Sequence, residues 1–274
     1  MNLTRWRSAD THSEEADVYF MPPRSYRIEF LSPSGAVDRV VLTDGSRQEI
    51  QLVRQGKLVE SDEKSFGSPL LSDERQRSLL LVNYTVEVAG TDKVLARPVW
   101  IVQLTPLYPG KPAERLLVDQ ESGIILEARR VAAEAGSSTT FTRFEPNVKL
   151  PESLFAWSHP APNVDEALAK PNDRESAGSW PSTLPGGFSL LSSENFEING
   201  KPVRHLRYFD GLSSFSIFET AAPVADAPVK PAIDALRPGP VVEAVERWKA
   251  HGRYLTAIGE IPAPLFAAIQ QQIR

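Results

Sequence analysis

Short alternations of apolar and polar side chains, broken by glycine-containing turns, constrain the first half of this chain more than any other feature. In SYRIEFL, Tyr26, Ile28 and Phe30 fall on one side, while Arg27 and Glu29 fall on the other. A period of two is typical of a β-strand with one face toward water. Segments of this kind follow one another to about residue 150, so the sequence predicts an antiparallel sheet.

Two segments of the first half depart from this alternation. LSDERQRSLLLVNY has a capping serine, early acidic residues and an apolar side, and it predicts a helix. RPVWIVQL is a nearly continuous apolar run, which predicts a strand covered on both faces. The chain contains 23 prolines. Because proline interrupts helices and central strands, many of these must lie in loops or in a linker.

The amino-acid composition changes between residues 151 and 184, where Pro, Ser, Ala and Asp dominate. This composition predicts a linker between a first domain, residues 1–150, and a second domain, residues 185–274. A short helix is expected at 164–169. We expect Trp157 and Trp180 to pack against a domain, since free tryptophans expose large apolar surfaces.

The second domain is predicted to contain strands, a hairpin and a final helix. VVEAVERWKAHGRYLTAIGEIP fits a hairpin that turns at His251-Gly252, although its first half also fits a helical stripe. APLFAAIQQQIR predicts a C-terminal amphipathic helix with prolines near its start. The expected fold class is therefore mainly β with some α.

Composition excludes several functional classes. With a net charge of −5 and no basic run, the chain is not expected to bind nucleic acid. It has no cysteine, which rules out thiol catalysis and thiolate metal sites. No apolar stretch approaches the ~18 residues that cross a membrane. Its four histidines are scattered, and no phosphate or dinucleotide motif occurs, so neither metal nor cofactor is expected.

The stretch HLRYFDGLSSFSIFE holds the residue types of a hydrolase triad. We expect instead two strands joined by a two-residue turn at Asp210-Gly211. That register places Leu206, Tyr208, Phe215 and Ile217 on a core face and His205, Ser214 and Ser216 on a polar face. With Asp210 in the turn and no nucleophile elbow, no catalytic residue is predicted. Asp119 could act as a general base, but a role in stabilising its turn is favoured.

The same residues resemble a known family. VRHLRYFDGLSSFSIFE and GRYLTAIGEIP are similar to the C-terminal domain of the RseB/MucB family of sigma-E regulators. YRIEFLSPSG, VLTDG, ARPVWIVQLTP, LLVDQESGIILEARR and FTRFEPNVKLPESLF are similar to its N-terminal domain, which has the fold of the lipoprotein carrier LolA. Two features depart from the pattern: the family's opening helix is absent, and Met21 stands before Pro22 where carriers have arginine.

The resemblance implies a LolA-like half-open antiparallel β-barrel followed by a smaller α/β domain. It implies a non-enzymatic regulator that binds the extracytoplasmic part of an anti-sigma factor and responds to lipid or lipoprotein acyl chains. It also implies a periplasmic or otherwise extracytoplasmic location, although this chain shows neither a signal peptide nor the first helix. The alternatives are a periplasmic lipid or lipoprotein carrier of LolA type and an envelope hydrolase that uses His205.

A curved sheet with one apolar face can leave a cavity for acyl chains if helices cover it incompletely. Each CH₂ group buried there would contribute ~0.8 kcal/mol, which is enough to sense lipid without catalysis. The alternative is that the same side chains form a filled core. The candidate lining residues are Tyr26, Ile28, Phe30, Leu42, Val102 and Leu117.

Overall fold

The computed structural model describes residues 1–7, 10–23, 25–44, 48–61, 74–131, 135–158, 180–198, 201–222, 244–259 and 263–273. Within these ranges the chain forms two antiparallel sheets and two α-helices. The predicted fold class, mainly β with some α, is confirmed.

Eleven strands build the first sheet in the order β6-β5-β4-β3-β2-β1-β11-β10-β9-β8-β7. Helix α1, Glu74–Asn83, leads directly into β7. The strands are β1 (Asn2–Arg7), β2 (Asp10–Met21), β3 (Ser25–Leu31), β4 (Val37–Thr43), β5 (Gln48–Leu52), β6 (Lys57–Ser61), β7 (Tyr84–Val94), β8 (Arg97–Pro106), β9 (Ala113–Asp119), β10 (Ile125–Val131) and β11 (Ala135–Thr140). SYRIEFL and RPVWIVQL, which were predicted as strands, form β3 and part of β8, and the predicted helix is present from Glu74 to Asn83.

One face of the first sheet carries helix α1, and we call it the helix face. Directly opposite residues on neighbouring strands share a face. Successive pairs of this kind run across the sheet from β7 to β2 and place one set of residues on the helix face. The set includes Val88, Val102, Leu116, Ala128, Leu3 and Glu14. Leu80 of α1 clusters with Leu104 and Leu116 on this face.

The opposite face is crossed by the chain after β11, and we call it the tail face. Phe141 and Phe144 pack there against Leu117 and Leu126. Farther along, Arg27 Nη1 donates to the Leu154 carbonyl at 3.3 Å. A 3₁₀ turn at Glu152–Phe155 thus lies against the first sheet, although the sequence placed it in the linker.

Ser158 also forms hydrogen bonds to the tail face. Its backbone N–H and its hydroxyl donate to the Glu49 carboxylate at 3.0 and 2.8 Å. Buried Val40 and Leu42 lie on the same face of the neighbouring strand β4. The segment that ends at Ser158 therefore covers apolar surface that would otherwise face water.

Six strands build the second sheet in the order β12-β13-β14-β15-β17-β16. Helix α2, Ala263–Gln272, packs on one face through Phe266 and Ile269. The strands are β12 (Thr183–Leu184), β13 (Phe188–Ile198), β14 (Lys201–Phe209), β15 (Ser214–Thr220), β16 (Ala244–Ala250) and β17 (Arg253–Gly259). The predicted core residues Leu206, Tyr208, Phe215 and Ile217 are at most 1% exposed.

Local features of both sheets agree with the sequence at some positions and differ from it at others. The hairpin at His251-Gly252 is confirmed, and the competing helix for its first strand is wrong. Trp180 packs against the second sheet, as expected. RPVWIVQL is not covered on both faces, because Trp100 within it is 44% exposed. The predicted helix at 164–169 lies outside the described residues, and the predicted domain boundaries stay a prediction.

Candidate functional site

The six predicted lining residues do not all share one face. Tyr26, Ile28, Phe30 and Val102 lie on the helix face. Leu42 lies opposite Arg27 on the tail face. Leu117 lies there too, paired with Ile101 and packed near Phe141. Since one cavity cannot be lined from both sides of a sheet, including Leu42 and Leu117 was incorrect.

The helix face differs between its two ends. Around β3–β5, Phe30, Val41 and Ile50 are at most 3% exposed and form one tight cluster. Around β7 and β8, Val86 and Val88 are 39% and 64% exposed, next to the exposed Trp100. We call Val86, Val88 and Trp100 the edge patch. No sequence pattern predicted this patch, because an exposed valine in a strand has no local sequence signal.

An ion pair lies among the apolar residues of the helix face. Arg39 Nη2 is 3.4 Å from Glu14 Oε1, and its guanidinium lies 3.9 Å from the Phe30 ring centre. Burial lowers the pKa of Arg39 from its ordinary value, while Glu14 partly offsets that effect. The β3–β5 end of the helix face is therefore not wholly apolar.

The two sheets meet at a buried loop, Asp210–Ser213, between β14 and β15, and we call this contact the junction. The predicted two-residue turn at Asp210-Gly211 is wrong, because Phe209 pairs with Ser214 and leaves four residues in the loop. Asp210 Oδ1 accepts hydrogen bonds from the Leu212 and Ser213 backbone N–H groups at 2.8 and 2.6 Å. The Asp210 side chain thus closes the loop itself.

The other oxygen of Asp210 reaches the first sheet. It accepts a hydrogen bond from the Tyr84 hydroxyl at 2.9 Å and forms an ion pair with Lys111. Both side chains of that ion pair are 0% exposed. Lys111 Nζ also donates to the Gly186 carbonyl at 2.5 Å. A buried charge from each sheet is therefore neutralised only while the sheets are together.

Further contacts support the junction. Asn83 donates from its side-chain amide to the carbonyls of Gly187 and Asp210 at 3.0 and 2.9 Å. Leu212 packs into the cluster around Leu80 on the helix face. Burial raises the pKa of Tyr84, and nearby Asp210 raises it further. Burial lowers the pKa of Lys111, against the opposing effect of Asp210.

The residues of the hydrolase hypothesis are not assembled as a triad. His205 Nε2 lies 2.8 Å from Ser216 Oγ, and its ring stacks on Phe218 at 4.5 Å. Asp210 is engaged instead by Tyr84 and Lys111 at the junction. A base and an acid with separate partners do not form the hydrogen-bonded relay that nucleophilic catalysis needs.

A small charged cleft lies at the end of the second sheet beneath α2. Glu219 accepts the Trp180 indole N–H at 3.1 Å. Arg204 and Arg253 lie 3.7 and 3.6 Å from the same carboxylate. Because one carboxylate faces two guanidinium groups, these three side chains carry a net positive charge. In the described parts of the chain no cluster of metal-ligating side chains occurs, and no helix there could cross a membrane.

These features define a class: a curled, antiparallel half-barrel joined to a second antiparallel sheet. Residues 174–274 match the MucB/RseB C-terminal domain family. Over 254 residues the chain is 27% identical to the sigma factor AlgU regulatory protein MucB of Pseudomonas aeruginosa, covering 88% of this chain and 78% of that protein. Residues 174–274 therefore carry a MucB/RseB C-terminal domain, and the chain as a whole is similar to MucB.

Solved structures share the fold over nearly the whole chain. A crystal structure of MucB matches at 18% identity with a TM-score of 0.57, covering 99% of this chain and 90% of that one. The MucA/MucB complex of Pseudomonas aeruginosa matches at 21% identity and 0.60, covering 98% and 89%. MucB in complex with MucA(peri) matches at 20% and 0.59, covering 100% and 91%. The half-barrel and the second sheet thus occur together in each.

Proposed function

We propose that this chain is a non-enzymatic regulator that binds the extracytoplasmic part of an anti-sigma factor in the periplasm. The observation that carries the proposal is the match to a sigma factor regulatory protein over 254 residues that span both sheets. The structures of MucB bound to MucA support it, because they contain the same two-sheet fold. Binding would cover the anti-sigma segment and shield it from proteolysis.

A pull-down tests this proposal directly. The purified chain is passed over the immobilised extracytoplasmic segment of an anti-sigma factor from the same organism, with a scrambled segment as the control. We expect retention on the native segment alone. No retention on any extracytoplasmic anti-sigma segment of that organism would refute the proposal.

The regulator also has a surface suited to sensing lipid. We propose that acyl chains bind the helix face, where Tyr26, Ile28, Phe30 and Val102 lie. The observation that favours this is the partly exposed apolar surface formed by Val102 and Trp100 at the β7–β8 end of the face. Apolar area removed from water there would contribute about 25 cal/mol per Å².

Displacement of a fluorescent fatty acid measures this binding. A Val102→Trp change fills the space above the strand, so we expect weaker binding of the probe than in the wild-type chain. Val53→Trp, at an exposed position on a 3₁₀ turn, is the matched control. Equal probe affinity in all three proteins, or no binding to the wild-type chain, would contradict the lipid proposal.

A simple lipoprotein carrier remains the alternative function. Such a carrier needs only the half-barrel, whereas here the second sheet inserts Leu212 into a core cluster of the first. The two sheets therefore favour a regulator over a carrier of LolA type.

A further inference from the structure

Strand β7 ends the first sheet. It pairs with β8 along its length, and no other described strand pairs with it on the opposite side. Such an edge is a template for another strand, because its outward backbone groups have no partner in the sheet.

The direction of each backbone group on β7 follows from one hydrogen bond. Leu107 donates its N–H to the Asn83 carbonyl at 2.9 Å, which makes these two residues a hydrogen-bonded pair. Hydrogen-bonded and non-hydrogen-bonded pairs alternate along an antiparallel ladder. Val86, opposite Leu104, and Val88, opposite Val102, are therefore non-hydrogen-bonded positions. Their N–H and C=O groups point to the free edge.

The side chains at these positions are apolar and exposed. Val86 and Val88 are 39% and 64% exposed, and together with Trp100 they form the edge patch. Proteins usually protect an edge with charged side chains, proline or a bulge. The segment Thr85–Val88 has no proline, its one charged residue, Glu87, lies on the opposite face from Val86 and Val88, and the bulge of β7 lies beyond it, between Val88 and Gly90.

The edge is continuous with the junction between the sheets. Tyr84, the first residue of β7, contacts Asp210 of the second sheet. Leu107 and Tyr108, which follow the paired strand β8, are 57% and 39% exposed at the same end. The start of β7 therefore lies beside the second sheet.

We propose that the anti-sigma partner adds an extended segment to β7 as a twelfth strand of the first sheet. This inference rests on the proposed function and specifies its site. The backbone of the segment pairs with Val86 and Val88, and its apolar side chains, at alternating positions, pack on the edge patch. Backbone pairing supplies affinity, and the spacing of the apolar side chains supplies selectivity.

Calorimetry with the full chain and the extracytoplasmic anti-sigma segment tests the site. Val88→Asp places a charge where the partner's apolar side chain would be desolvated, so we expect affinity to fall by about tenfold or more. Val245→Asp is the matched control, because Val245 is 48% exposed on β16, an edge strand of the second sheet. Its affinity should equal that of the wild type.

Amide hydrogen exchange of the wild-type chain gives a second readout that needs no variant. The Val86 and Val88 amides should exchange more slowly in the complex than in the free chain. The Thr85 and Glu87 amides, which face β8, serve as internal references and should change little.

The outcomes separate this inference from the proposed function. Normal affinity of Val88→Asp with unchanged exchange at Val86 and Val88 overturns the edge site, while partner binding stands. No binding by the wild-type chain overturns both. Protection of Val86 and Val88 that rises with the concentration of the chain alone assigns the edge to a second copy, and also overturns the inference.

Discussion

Asp119 closes the turn between β9 and β10 from inside the protein. Its carboxylate accepts hydrogen bonds from Arg97 Nε at 2.8 Å and Nη2 at 3.0 Å. It also accepts the Ser122 N–H at 2.8 Å and the Ser122 hydroxyl at 2.6 Å. Every one of these hydrogen bonds favours the ionised form of Asp119. Asp119 therefore stabilises the turn, which is the role that the sequence favoured over that of a general base.

The hydrogen bonds from Arg97, aided by those from Ser122, hold the pKa of Asp119 well below its ordinary value. A depressed carboxyl pKa stabilises the fold fully above the unfolded pKa of about 4, and that contribution falls as pH drops toward the folded pKa. We expect Asp119→Asn to lower the free energy of unfolding by about 2 kcal/mol at pH 7. Urea denaturation measures this change.

The difference between Asp119→Asn and the wild type should shrink when urea denaturation is repeated near pH 3. Asp17→Asn, at an exposed carboxylate, is the control and should change stability little at either pH. An equal loss at both pH values would show that the charge of Asp119 is not what stabilises the turn.

At the scale of the element, alternation and turn chemistry predicted which segments form strands, but not every face or loop. In β3 the charged Arg27 and Glu29 mark one face clearly. In β4 and β9 the runs VVL and LLV are apolar at consecutive positions, so local pattern cannot assign Leu42 or Leu117 to a face. Only pairing with distant strands decides it.

The four-residue loop at Asp210 could not be predicted for a related reason. Asp-Gly between two apolar runs favours a two-residue turn on local grounds. Here Asp210 accepts a hydrogen bond from the Ser213 N–H and pairs with Lys111, which lies in the loop between β8 and β9 of the first sheet. Tertiary contacts of this kind leave no trace in the loop's own sequence.

The loop depends on Gly211 for more than backbone freedom. Its φ is +102°, and an added Cβ would lie 2.2 Å from the Leu80 backbone nitrogen. Gly252 also has a positive φ, +75°, but nothing lies within 4 Å of its would-be Cβ. We expect Gly252→Ala to cost about 1 kcal/mol from backbone strain alone. Gly211→Ala should cost clearly more, because α1 must also shift.

Thermal unfolding of the two alanine variants measures this difference in stability. Similar melting temperatures for Gly211→Ala and Gly252→Ala would mean that the loop is not held tightly against α1.

At the scale of the whole molecule, the junction holds the two sheets together through a buried ion pair and hydrogen bonds. Asp210 and Lys111 neutralise each other in a site without solvent access, and Asn83 bonds two backbone carbonyls of the second sheet. Separating the sheets would leave both charges without their partner. Removing one member of a buried pair costs about 3–5 kcal/mol, whereas replacing both with apolar groups costs far less.

We therefore expect Lys111→Met to destabilise the chain by about 3–5 kcal/mol, and Lys111→Met/Asp210→Leu to recover part of that loss. Equilibrium denaturation of the single and double variants measures the coupling. Lys93→Met, at an exposed lysine of β7, is the control and should be nearly neutral. Additive losses in the double variant would show that the two charges are not coupled.

The insertion of Leu212 beside Leu80 also bears on how such proteins can diversify. Chimeras that exchange the C-terminal half between distant relatives would carry the Asp210 loop away from the Lys111 and Asn83 it was matched to. Viable recombinants should inherit the Asp210 loop, Lys111 and Asn83 from the same parent. A crossover between the two halves looks natural in the sequence, but it is the one that selection should tolerate least.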